Sequence, residues 1–290
     1  MDGKADGMTG DLLGLLPPIR RIRGNRLYAA DGRRFLDLWL DGGRGILGER
    51  DRHARMYAAN AADKGLSRPY PGQHDARFRK AVLSCWPGWP GLRLYANEER
   101  ALAAAARVLG SPAVLSEPVS RGGERGSVAL LRPFAPDPAG PVLALPRLPC
   151  PAAFAPACLL SRDPSLLAGE GGDTVPQMAL VAAARALDSL AGSEREGYGP
   201  ALWERWDRRM AAFFERRGPW LLASAARERY TEFFRASIEG GALVAPAFDE
   251  PCLVPPDFDD GELVKLAAAL ARAGFGPRDG SVANAAGSGA

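Results

Sequence analysis

The side chains able to carry chemistry in this sequence are few, and they do not fall into a recognisable reactive order. His53 and His74 are the only histidines and the candidate acid/bases, and Cys150 and Cys158 are the candidate thiol nucleophiles. Neither a Ser-His-Asp nor a Cys-His order comes with flanking residues that would mark a nucleophilic site. The four cysteines, Cys85, Cys150, Cys158 and Cys252, form no CxxC pair and cannot complete a zinc set with two histidines. No metal site is therefore expected, and the thiols are expected to be reduced and mostly buried. Lysine, the residue that condenses with aldehydes, occurs only as Lys4, Lys64, Lys80 and Lys265, which leaves Ala81 to Val264 without one. Arginine supplies the cations there, and Arg121, Arg125, Arg132 and Arg147 are the candidate partners for a small anionic ligand.

The rest of the composition describes the scaffold. At 290 residues the chain is long enough for a substantial core. Its 37 basic and 34 acidic residues leave a net charge of only +3, spread along the chain, which argues against nucleic acid as a partner. Met1 to Gly10 carries Asp2 and Asp6, unlike a signal peptide, and no apolar run reaches the ~20 residues needed to span a bilayer. The expected location is cytoplasmic, with no membrane partner.

The pattern of the chain is strand and helix in alternation. Arg26 to Ala29 and Arg33 to Leu38 read as a hairpin turned by Asp31-Gly32. Gly42, Gly43, Gly45 and Gly48 follow, but without a GxGxxG or GxxxxGK[ST] spacing they read as a connection rather than a phosphate loop. Helices are predicted over Asp51 to Ala62 and Asp75 to Cys85. Leu92 to Tyr95 reads as a strand, and Asn97 as the N-cap of a helix from Glu98 to Leu109 whose first-turn Glu98 and Glu99 suit the positive dipole end. Ala113 to Leu115, Ser127 to Leu131 and Val142 to Leu145 are continuous apolar runs of the kind buried parallel strands show, and Phe154 to Leu160 is a further apolar piece. Asp137, between Pro136 and Pro138, reads as a turn residue. After a glycine-rich break the helix pattern returns from Thr174 to Leu190, with Thr174 as its N-cap, and again over Ala201 to Arg216 with Leu202, Trp206, Met210 and Phe213 on one stripe. Glu228 to Ile238 reads as a third helix, Leu243-Val244 with Cys252 to Val254 as a small hairpin, and Asp259 with Glu262 as a capping box for Asp260 to Ala273.

Three blocks in this order resemble the fold-type I pyridoxal-phosphate (PLP) enzymes, and among them the class III aminotransferases of the glutamate-1-semialdehyde aminomutase kind. Leu27-Tyr28, Asp31 to Asp37 and Leu47-Gly48 are similar to that family's opening hairpin, with Glu49 where the family has a histidine. Leu94 to Arg107 resembles its strand, phosphate loop and helix, with Glu98-Glu99-Arg100 in place of Ser-Gly-Thr. Phe234 to Pro246 is similar to its C-terminal domain. Between them, Gly171 to Ala183 resembles the family's "GT-sgNPlamAA", and Leu148-Pro149 the segment after its catalytic lysine, which puts Val142 or a neighbour in Pro141 to Leu145 at the Schiff-base position.

The resemblance implies an α/β protein with a truncated PLP-dependent transferase-like fold: a mostly parallel sheet flanked by helices and a small α+β C-terminal domain. The implied organisation is an N-terminal arm and hairpin (1–50), a reduced large, cofactor-type domain (51–195), a small domain (196–274) and a disordered tail (275–290). Asn97 and Thr174 are the vestigial cofactor-binding positions, Thr174 matching a threonine that reaches the neighbouring subunit's phosphate. With no lysine at the Schiff-base position, no catalytic residue and no bound cofactor are expected. The implied role is that of a pseudoenzyme, a scaffold or partner-binding protein, as a homodimer or as a heterodimer with an intact paralogue. Two alternatives remain: a module for a small anionic or amino-acid-like ligand, and an active PLP-dependent aminotransferase using Lys64, Lys80 or Lys265, of which Lys64 is the best placed.

Overall fold

Val128-Ala129-Leu130-Leu131 offers no polar side chain to either side, so a strand made of it must be covered on both faces. All four residues are buried. The structure is a computed structural model that describes residues 12–48, 52–119, 126–152, 155–193 and 197–276. Its elements in chain order are β1 (Ile19–Arg23), β2 (Arg26–Ala29), β3 (Arg34–Asp37), α1 (Arg52–Asp63), α2 (His74–Cys85), β4 (Gly91–Tyr95), α3 (Glu98–Leu109), β5 (Leu115–Ser116), β6 (Val128–Leu131), β7 (Leu143–Pro146), β8 (Ala157–Ser161), α4 (Gln177–Ser193), α5 (Pro200–Met210), β9 (Phe214–Arg217), β10 (Trp220–Ala223), α6 (Tyr230–Glu239), β11 (Ala242–Leu243), β12 (Cys252–Leu253) and α7 (Asp260–Arg272). They form two compact units, one of residues 40–199 and one of the residues before and after it in the chain. The sequence boundaries at 50 and 195 compare with 39/40 and 199/200 here.

The unit of residues 40–199 is built on a five-stranded sheet in the order β4-β8-β7-β6-β5. β5, β6 and β7 run parallel, and β8 runs antiparallel to β7 and to β4. Strand alternation sends Tyr95, Val128, Leu143, Leu145 and Leu159 to one face, where Ala101, Ala104 and Ala105 of α3 cover them. α4 packs against α1 and α2. It is the most enclosed helix of the unit, buried at Leu180, Val181, Ala183, Ala184 and Leu187 and so on more than one side.

The second unit holds a sheet in the order β1-β2-β3-β11 and a three-stranded sheet in the order β12-β10-β9. Its core is aromatic. Phe233 lies 5.5 Å from Phe214 and 5.1 Å from Phe275, and Trp206 lies 5.6 Å from Phe258, all edge-on. Arg26 of β2 reaches α7: its Nε and Nη2 donate to Glu262 at 2.9 and 3.0 Å and its Nη1 to Asp257 at 2.6 Å. Burial pushes the Glu262 carboxyl up, but the hydrogen bond from Arg26 and the N–H of Asp259 outweigh it and hold it below the usual range. Glu262 also closes the capping box with Asp259, as its spacing predicts.

Four expectations need correction. The helix from Thr174 begins only at Gln177, because Pro176 disfavours a helical conformation at Val175; the Pro176 carbonyl, not Thr174, receives the first N–H groups, from Ala179 and Leu180. The helix over 201–216 stops at Met210, and Phe214–Arg217 turns through Gly218-Pro219 to pair with β10, with Gly218 at φ +60°. Leu243 and Cys252 do not form a hairpin: β11 pairs parallel with β3 and β12 antiparallel with β10, in different sheets. Phe275, expected in a disordered tail, is packed in the aromatic core; residues 277–290 lie outside the described residues. β1 and the β9–β10 hairpin carry no clear alternation and are elements the sequence reading did not include.

Truncating Phe233 to Ala should destabilise its unit by about 3–5 kcal/mol, the usual cost of emptying a fully enclosed aromatic site. Ile22→Ala on β1, where the side chain is 64% exposed, should change stability by no more than about 0.5 kcal/mol. Urea titrations of the two variants measure the contrast.

Candidate functional site

The start of α3 is where an anion would be expected, because the first N–H groups of a helix have no partner within it. The sequence provides its own acceptors. Asn97 is extended, at φ −154° and ψ 171°, and its side-chain oxygen accepts from the Arg100 N–H at 2.9 Å. The Asp173 carboxylate accepts from the Ala96 N–H at 3.0 Å and from both Nε and Nη2 of Arg100, at 2.5 and 2.6 Å. The hydrogen bond from Arg100, with help from the Ala96 N–H and the guanidinium charge, holds the Asp173 carboxyl below its ordinary range. Asp173 is itself tethered, its N–H donating to the Leu94 carbonyl at 2.8 Å. Gly172 allows that approach: a Cβ there would stand 3.0 Å from the same carbonyl.

Beside this helix start, at the carboxyl ends of β6 and β7, is a cleft of about 180 Å³ lined by Asn97, Glu98, Leu130, Leu145, Arg147 and Cys158, with Arg44 at its edge. In sheets with parallel strands this is the end at which ligands collect. Of the range Pro141 to Leu145 expected to hold the Schiff-base position, Val142 lies before the first residue of β7 and so at the other end of the strand, while Leu145 reaches the cleft together with Pro146 and Arg147. Arg147 approaches Glu98 at 3.7 Å. Thr174 is not in this cleft. It lines a second, polar cleft of about 280 Å³ with Asp75, Arg79, Arg93 and Gln177. The structure therefore places Asn97 and Thr174 in separate clefts, and it is Asp173, which sequence reasoning missed, that meets the helix start. Nothing in the spacing of Asn97 and Asp173 announces that meeting.

Gln177 organises the second cleft. Its side chain is buried, accepts from the His74 N–H at 2.9 Å and donates to Asp75 at 2.8 Å, so it serves as the cap that α2 lacks in its own sequence. The other candidates are occupied or enclosed. Arg132 is buried; its Nε and Nη2 hold Glu117 at 2.7–2.9 Å and its Nη1 donates to the Gly42 carbonyl at 2.7 Å, which docks the glycine-rich connection. Arg121, Arg125 and Glu49 lie outside the described residues. All four cysteines are reduced, with Cys150 and Cys158 buried, and burial pushes the Cys158 thiol far up, away from a reactive thiolate. His53 and His74 sit on different helices, and neither imidazole makes a hydrogen bond or ion pair among the described residues. Asp137 does more than turn the chain: it accepts from Trp89 Nε1 at 2.9 Å and pairs with Arg162 at 3.1 Å. Among the described residues no group of His, Cys, Asp and Glu could hold a metal, and no helix is long and apolar enough to cross a membrane.

Comparison with solved structures places this architecture. An ornithine aminotransferase from Plasmodium yoelii matches with a TM-score of 0.63 at 13% identity over 93% of this chain and 98% of that one. An acetylornithine aminotransferase from Elizabethkingia anophelis matches at 0.61 and 12% over 89% and 93%, and an omega-transaminase from Sphaerobacter thermophilus at 0.61 and 14% over 93% and 98%. The fold is that of the aminotransferases, a mostly parallel sheet flanked by helices with an α+β unit that contains the C-terminal segment. In sequence the chain is similar to a protein of Treponema pallidum described only as uncharacterized, 28% identical over 82% of this chain and 88% of that protein. A protein of Borreliella burgdorferi with the same description shares 37% over 25% of this chain and 27% of its own. No protein-family model matches the chain.

Asp173→Asn should lower Tm at pH 7. Because the folded carboxyl is depressed, its contribution is fully present above the ordinary value of 3.8 and is lost as pH falls through the lower folded value. The difference in Tm between the variant and the parent should therefore close in strong acid, as read by thermal melts at both pH values.

Proposed function

We propose that this chain is a catalytically silent relative of the PLP aminotransferases, a shortened form of that scaffold that does no Schiff-base chemistry and acts as a dimeric scaffold or partner-binding protein. The observation that carries the reading is the lining of the cleft at the end of β7, whose cations are Arg44 and Arg147. A guanidinium keeps its proton at any working pH and cannot attack an aldehyde as an amine does. No lysine stands anywhere between Ala81 and Val264 to replace it, and Lys64, Lys80 and Lys265 are exposed and line neither this cleft nor the Thr174 cleft.

The residues present do not fit PLP in a second respect. When bound in an enzyme that uses it, PLP supplies an aldehyde and an electron sink, and its phosphate is a dianion that suits a helix N-terminus. Here that helix start already holds the Asp173 carboxylate, and Glu98 and Glu99 occupy its first turn. A dianion would meet three negative charges. The cleft of about 180 Å³ is also below the ~300–1,000 Å³ of typical ligand pockets.

The partner is a second copy of the chain or an intact paralogue. β1 supports the partner-binding role, since it is exposed along its length at the edge of its sheet and leaves Ile22 64% exposed. An edge strand of this kind presents unpaired N–H and C=O groups with which a strand of another chain can pair.

Two measurements test the reading. Incubation with pyridoxal phosphate followed by borohydride should leave no stoichiometric reduced adduct by intact mass; one adduct at one lysine would overturn the silent assignment. Light scattering should give twice the 30.8 kDa of the chain, or a one-to-one complex with the paralogue when the two are co-expressed. A monomer in both cases would overturn the scaffold assignment alone.

A further inference from the structure

Two parallel neighbours normally need a connection of about a dozen residues or more, usually a helix that covers the sheet. The connection from β6 to β7, residues 132–142, contains no helix. Beside this connection is a cleft of about 940 Å³ bounded by α2, α4 and the connection itself, and it shares no lining residue with the cleft at the end of β7. Its apolar lining includes three aromatic residues, Trp86 and Trp89 after α2 and Phe134 from the connection, beside Leu187 from α4.

The lining is pre-organised. Trp89 is 1% exposed, its Nε1 is held by Asp137, and the Arg162 guanidinium lies 4.2 Å from its ring centroid. Phe134 takes the left-handed backbone at φ +59°, and its ring sits 5.6 Å from that of Tyr198. A bulky residue adopts that conformation only where its surroundings enforce it, and such positions concentrate at ligand sites.

Charge accounting leaves one cation over. Five charged residues line the cleft: Arg77, Lys80, Arg132, Asp137 and Asp188. Asp188 pairs with Arg77 at 2.9 Å and also lies 3.7 Å from Arg185, outside the lining, while Asp137 pairs with Arg162 at 3.1 Å and Arg132 with Glu117 at 2.7 Å. Lys80 makes no ion pair among the described residues, and its ammonium is the unbalanced charge of the site. We propose that this cleft binds an aromatic monocarboxylate, with its ring against the half-buried Trp86 and Phe134 and its carboxylate on Lys80. The site is independent of the silent-enzyme reading: it uses neither α3 nor the end of β7.

The test is a titration of the full chain with 1-naphthoate, read by tryptophan fluorescence and by Tm, against the uncharged 1-naphthalenemethanol. Saturable binding is expected for naphthoate, about tenfold tighter than for the alcohol, because one charge-assisted contact separates the two ligands. Lys80→Gln, a surface change that should leave the fold intact, should remove that tenfold preference and leave alcohol binding unchanged. Ser84→Trp, which fills the cleft from its exposed rim, should abolish binding of both. Equal binding of the two ligands, an unchanged preference in Lys80→Gln, saturable binding that survives Ser84→Trp, or no saturation at millimolar ligand would each overturn the proposal.

Discussion

The Asp173 carboxylate at the start of α3 is the contact on which the arrangement of the sheet-bearing unit turns. A helix start needs acceptors, and here the chain supplies an anion itself. The consequence is structural as well as electrostatic. Asp173 binds Ala96 and Arg100 through its side chain and Leu94 through its backbone, so the strand, the helix after it and the lead-in to α4 are fixed to one another by a single residue. Four residues later Gln177 does the same for α2, capping its first N–H. The segment 172–177 is thus a clasp between α3 and α2, built from polar groups that satisfy one another.

The second consequence concerns the sheet. The β6–β7 connection contains no helix to cover the sheet, yet the apolar strands beneath it are buried. The chain meets this with α4, which is buried on more than one side, with Trp89 locked between Asp137 and Arg162, and with the strained Phe134. Covering by a few large rings is less complete than covering by a helix. The space left over is the aromatic cleft.

Both units place buried cations by the same rule. Arg132 with Glu117, and Arg26 with Glu262, are nearly enclosed guanidinium–carboxylate pairs in which almost every donor is used. Burying a charge is costly unless it is paired and hydrogen-bonded, and removing either partner leaves the other stranded. Such pairs hold β2 to α7 in one unit and the glycine-rich connection to the sheet in the other. They also take Arg132 out of the set of side chains able to greet a ligand.

Local signals determined a great deal of this protein. Asn97 with its following glutamates set the start of α3, Asp259 and Glu262 the start of α7, Asp31-Gly32 the β2–β3 turn, and continuous apolar runs the strands β6 and β7, because caps, turns and fully buried strands are encoded by neighbours a few residues apart. That Ala81 to Val264 contains no lysine is read from the sequence directly. What tertiary structure decided were the meetings of residues far apart in the chain: Asp173 with Arg100, Gln177 with His74, Glu117 with Arg132, and the end of β7 with the start of α3 at the cleft. The helix start at Gln177 and the partners of β11 and β12 fall in the same class, as they depend on which backbone groups a distant strand leaves open. Pairing over such separations is set by how the whole sheet closes, and no spacing along a single chain records it.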